Sequence, residues 1–228
     1  MIWILFIGTM ALSLWAAARV KSVYHRYNQG VVRSGVTGRE VAAQILRLNG
    51  IHDVEIQMGE GILGDHYDPI HKRLVLSPDN YHGRTPAALG VAAHEAGHAI
   101  QHKVGYSMMT VRQTLVPATQ IASGASQLLI IVGIVLGAKA LGGIFLMLGA
   151  VALAMICLFQ LITLPVEFDA TARAKAQLVN LGLVDRDEMP GVNETLDAAA
   201  LTYVAAFIAS LGSLLHILML IMGGRSRD

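Results

Sequence analysis

Residues 91–102 read VAAHEAGHAIQH. Histidines at 94, 98 and 102 stand four apart, and Glu95 follows the first. Side chains four apart lie on one face of an α-helix, so His94 and His98 can direct two imidazole nitrogens at a single metal ion. Glu95 is turned about 100° from His94 at 3.6 residues per turn. That sets its carboxylate beside such an ion, where it can take a proton from water. These are the mechanics of the H-E-x-x-H pattern in zinc hydrolases. His102 drifts about 80° from His94 over two turns. One helix cannot easily wrap three successive turns around an ion, so His102 is expected at the surface or behind a ligand.

A catalytic zinc site takes three protein ligands and leaves one position open. Cysteine cannot supply the third, because Cys157 is the single cysteine and lies in an apolar run. The candidate is Glu167, in PVEFDATARA at 165–174, where a long apolar run ends. A carboxylate at the hydrocarbon boundary is costly and is a functional suspect, although an interfacial charge anchoring the helix end would look the same. Asp169 either accepts a hydrogen bond from a ligand histidine or pairs with Arg173, four residues on. His66, Tyr67, Tyr81, His82 and Arg173 are candidates for stabilising a transition state. One zinc ion is the implied cofactor.

The elements that must position these groups are partly readable. Thr85-Pro86 starts a helix that runs to about His102, with Thr85 as N-cap and Pro86 in the first turn. Gly97, between the two ligand candidates, either admits a close neighbour or is a packing position. Thr37 and Glu40 form a capping box ahead of a second helix that Gly50 stops. Val54–Gln57 and Lys72–Ser77 read as strands of a small hairpin or sheet edge, and DHYDP at 65–69 reads as a turn. The strand at 72–77 is a candidate to pair with an extended substrate.

Around this polar material the chain is greasy. Of its 228 residues, 54% are hydrophobic and 14% charged, against about 25% charged in a soluble domain. Four runs lack charge: 2–18, 115–138, 140–166 and 198–224. About 20 apolar residues cross a bilayer, so the fold class is a mainly α-helical integral membrane protein with about four transmembrane helices and a small α+β, zincin-like catalytic region. The implied divisions are an anchor at 1–18, a catalytic region at 19–114, two spans in 115–166, a polar segment with the third ligand at 167–197, and a last span at 198–224. Arg19, Lys21, Arg26 and Arg33 follow the first run with no acid among them. That bias marks a retained anchor and puts both polar segments in the cytoplasm, while Arg225 and Arg227 pull weakly the other way. A net charge of +1 gives no nucleic-acid footprint.

HEAGHAIQH, the upstream DHYDP with its KRLVLS strand, and PVEFDA after a membrane run together resemble the YugP-type family of bacterial membrane zinc metallopeptidases. The resemblance covers nearly the whole chain. More distantly, the chain is similar to the HtpX-type membrane proteases. The resemblance implies a plasma-membrane peptidase acting on proteins or peptides, misfolded or membrane proteins among them. It implies His94 and His98 as ligands, Glu95 as general base and Glu167 as third ligand. The HtpX-type pattern has an aspartate four residues after the ligand glutamate; Thr171 stands there instead, with Asp169 a stand-in. Three rivals are distinguishable. An intramembrane protease would carry the motif inside a span, but here it lies between Arg84 and Lys103. A scaffold or chaperone-like protein with a structural metal would need no base. A transporter would want ionisable groups at mid-span, where His216 alone qualifies.

Overall fold

A computed structural model describes residues 2–59, 64–137 and 140–225, with the side chains of 2–6, 140, 224 and 225 excepted. In chain order the described elements are α1 (Ile2–Tyr27), α2 (Gly38–Leu48), β1 (Glu55–Met58), β2 (His66–Asp68), β3 (Arg73–Leu76), α3 (Pro78–His82), α4 (Pro86–Lys103), α5 (Ser107–Val135), α6 (Ala140–Asn180) and α7 (Met189–Arg225). They form two compact units. One gathers Met1–Ala16, Val111–Leu164 and Thr202–Asp228; the other gathers Ala17–Thr110 and Pro165–Leu201.

The first unit holds most of the apolar sequence. Among the described residues, three helices are long and apolar enough to cross a membrane: Ser107–Val135, Leu141–Asn180 and Met189–Gly223. The fourth expected span, residues 1–18, falls on α1 and lies partly outside the described residues. Large apolar side chains such as Leu128, Val151 and Met222 are exposed, as lipid-facing residues are. Pro165 lies inside α6. The helix runs on to Asn180, and its part from Pro165 onward, with Glu167, Asp169, Thr171 and Arg173, belongs to the second unit.

The second unit has a conventional core. Val41, Ala42, Ile45 and Leu46 of α2 are buried against Leu89, Ala92, Ala93 and Ala96 of α4, with Leu74 and Leu76 beneath. The α2 start is the expected capping box, with Thr37 and Glu40 each accepting from the other's backbone N–H. The sheet differs from expectation. Its order is β1-β3-β2, with β1 parallel to β3 and β2 antiparallel to it. The two strands read from sequence therefore do not form a hairpin. HYD of the supposed turn is itself the strand β2, and the turn follows it, where the Asp68 carboxylate accepts from the backbone N–H groups of Ile70 and His71. Alternation reveals a strand's faces but not its partner or direction, which is why the pairing was not legible. Because β3 is the central strand, both its edges are taken. An extended substrate cannot pair with it, and that expectation is overturned.

Candidate metal centre

Helix α4 begins as its first residues dictate. Thr85 Oγ1 accepts from the Ala88 N–H at 3.2 Å, and Pro86 occupies the first turn. The helix is rich in alanine and glycine, and most of its length is buried. Small side chains let neighbouring backbones approach closely. A Cβ on Gly97 would stand 2.7 Å from the Ala170 carbonyl oxygen, closer than any real side chain sits. Glycine at 97 therefore lets α4 rest directly on the backbone of α6, one turn from Glu167.

That approach brings three groups together. His94 Nε2 lies 3.2 Å and His98 Nε2 3.6 Å from the same oxygen, Glu167 Oε2. The ligand atoms of all three residues fall within 4.8 Å of one another. The two imidazole rings are nearly perpendicular, at 85°. Ligands at zinc distances on a tetrahedron stand about 3.4 Å apart, so the donor set and its spacing fit zinc. Glu167 is 1% exposed, and a buried carboxylate demands positive charge beside it.

The second layer is where sequence reasoning fell short. Gln101, fully buried, accepts from His98 Nδ1 at 2.9 Å through Oε1. Its amide Nε2 donates to the Val166 carbonyl at 2.7 Å and to Asp169 Oδ2 at 2.8 Å. Asp169 in turn accepts from Arg173 Nε at 2.6 Å. Thr171 Oγ1 shares a hydrogen bond of 3.2 Å with His94 Nδ1. Asp169 thus pairs with Arg173 and reaches a histidine only through Gln101, while Thr171 itself meets His94. The signal was available: Gln101 is three residues after His98 and Thr171 four after Glu167, spacings that share a helix face. With Nδ1–H given to Gln101, the His98 Nε2 lone pair points toward a carboxylate oxygen. Two electron-rich atoms 3.6 Å apart suit a cation between them, which is the second mark of a metal centre.

Electrostatics follow from this packing. Burial disfavours the charged form of His98, but the hydrogen bond and charge of Glu167 outweigh it and hold the imidazole pKa above its usual value. Burial pushes the Glu95 carboxyl up, and the charges of His98 and His94 oppose that shift. A carboxylate with raised proton affinity suits a base working near neutral pH.

The remaining candidates have partners of their own. His66 is exposed, with its Nδ1 on the Gly64 carbonyl at 2.6 Å. Tyr81 lies under the Arg39 guanidinium and edge-on to His82. Arg173 is engaged by Asp169. Tyr67 shares a hydrogen bond of 2.8 Å with His102 Nδ1, which places His102 with β2. Burial, Asp53 and Asp68 raise the Tyr67 pKa to about 12, so its hydroxyl stays protonated. Tyr67, His102, Ala99, Lys103 and residues 50–54 wall a groove of about 500 Å³. Ala99 and His102 are four and seven residues beyond Glu95, so the groove continues the α4 face that bears Glu95.

Comparison with known proteins agrees with this chemistry. A family described as "Putative neutral zinc metallopeptidase" matches residues 2–222. The chain is 43% identical over 224 residues to the "Putative membrane protease YugP" of Bacillus subtilis (strain 168), covering 98% of each protein. No solved structure matches.

Proposed function

The chain belongs to the neutral zinc metallopeptidase family, and from that premise we propose that it is a membrane-bound endopeptidase that hydrolyses protein or peptide substrates at or near the membrane surface. The observation that carries the proposal is the convergence of His94, His98 and Glu167 at distances that suit one zinc ion. These three residues would hold the ion. Zinc bound there supplies Lewis acidity, polarising a carbonyl and lowering the pKa of a water molecule. Glu95 stands on the adjoining helix face, takes the proton of the attacking water, and returns it to the leaving amine. Its burial keeps bulk water from competing for that proton. Gln101 and Thr171 hold the imidazoles in place.

In this reading the substrate lies in the groove beside Tyr67 and His102, with its backbone against β2, an edge strand, and not β3. In this reading the site faces the cytoplasm, and the basic residues that follow the first apolar run support that side. The test is hydrolysis of an unfolded protein by the parent and by Glu95→Gln, with zinc content measured on both. Loss of a general base costs about 10²–10⁴-fold in rate. Glu95→Gln is expected to keep its zinc and lose hydrolysis by that factor. Equal cleavage by the two proteins would reject the peptidase reading and leave a structural metal.

A further inference from the structure

The two histidines are not held alike. Nothing in the H-E-x-x-H pattern requires this, and it follows from the hydrogen-bond logic around Gln101. The Gln101 amide nitrogen faces two acceptors, the Val166 carbonyl at 2.7 Å and Asp169 Oδ2 at 2.8 Å. Neither a backbone carbonyl nor a carboxylate has a proton to give. Turning the amide over would set its oxygen against both and its NH₂ against the ring, so one orientation is fixed. Oε1 then faces His98 Nδ1 at 2.9 Å and can only accept. His98 Nδ1 must therefore carry the proton, and the lone pair stays on Nε2. The Nδ1 partner of His94 imposes no such choice by itself, and its Nε2 faces Glu167 Oε2 at 3.2 Å, where a carboxylate can only accept. Thr171 offers a hydroxyl, which both donates and accepts and which rotates to suit, at the longer distance of 3.2 Å.

We propose that Gln101 is a positioning residue that fixes His98 as a preformed metal ligand, Nδ1 protonated and Nε2 free, whereas Thr171 sets no tautomer on His94, which turns its Nε2 to Glu167 instead. The proposal rests on the reading of His98 as a zinc ligand, but its first consequence concerns the metal-free protein. The acceptor on His98 is a neutral amide. On this side of the ring the Asp169 carboxylate stands one hydrogen bond further out and steadies the amide, together with Val166. Ligand histidines in zinc sites commonly donate to a carboxylate or a carbonyl, and loss of such a partner typically lowers metal affinity 10–100-fold.

The experiment uses the full chain in detergent with nitrogen-15-labelled histidine. Ring-nitrogen spectra of the metal-free protein, recorded above the imidazole titration, report each tautomer directly. His98 is expected in the Nδ1–H form and His94, whose Nε2 faces the Glu167 carboxylate, in the Nε2–H form. Zinc affinity is then measured by chelator competition in Gln101→Met, Thr171→Val and Asp169→Asn. Gln101→Met is expected to lose about 10–100-fold and the fixed His98 tautomer. Thr171→Val is expected to lose less than about tenfold, and Asp169→Asn to keep the tautomer because Val166 still holds the amide. An Nε2–H form of His98 in the parent would overturn the proposal, even if Gln101→Met failed to fold. So would Thr171→Val or Asp169→Asn costing as much as Gln101→Met. A parent that binds no zinc yet shows the expected tautomers would instead sink the peptidase reading and leave the Gln101 inference standing.

Discussion

Glu167 draws its meaning from its company, and at the scale of single residues that company was only half readable. The spacing of His94, Glu95 and His98 declares a metal site, because a helix converts four-residue spacing into convergence. Glu167, 73 residues beyond His94, was reachable by chemistry: the site lacks a ligand, and a carboxylate sits where none is cheap. Gln101 escapes a reading of the sequence and Thr171 shows there only as a departure from the HtpX-type pattern, because neither side chain carries a charge and their roles exist only once α6 lies across α4. Two outcomes are expected here. Glu167→Ala should lose zinc affinity by at least about 100-fold, more than loss of a partner behind a ligand; unchanged metal content would remove it from the centre. Zinc affinity should also fall on acidification, starting above the ordinary imidazole pKa of 6.5. The folded-state pKa of His98 is raised, so its proton competes with zinc from a higher pH downward. Chelator competition across pH measures this, and an affinity that is flat until well below 6.5 would contradict it.

At the scale of elements, caps were the most legible feature and sheet pairing the least. Thr85-Pro86 and Thr37-x-x-Glu40 work through contacts within four residues, so sequence alone settles them. Parallel pairing of β1 with β3 depends on a partner 18 residues away, and the three-residue β2 is too short to show alternation. Gly97 is the element-scale test. An alanine there meets the Ala170 carbonyl at 2.7 Å, and backbone cannot yield as a side chain can. Forced overpacking of this kind costs about 1–3 kcal/mol. Gly97→Ala is expected to lower the melting temperature and weaken zinc together, because α6 must move away and take Glu167 with it. An alanine variant with parent-like melting and zinc affinity would show that the close approach is not what sets the ligand spacing.

At the scale of the whole molecule, three helices among the described residues are long and apolar enough to cross a membrane, and a compact polar unit shares their chain. The apolar runs were plain in the sequence because bilayer thickness sets a length that periodicity cannot disguise. Less plain was that α6 and α7 continue as helix into the polar unit, since their charged ends resemble loops. The protein is expected to stay with the membrane through alkaline carbonate washing; release into the wash would contradict the spanning reading. With the intact protein in detergent, zinc X-ray absorption at the metal edge tests the central claim most directly. The expected shell has two imidazole nitrogens, carboxylate and solvent oxygen at about 2.0–2.2 Å and no sulfur. A shell with a third imidazole, or with only one, would contradict a centre built from His94, His98 and Glu167.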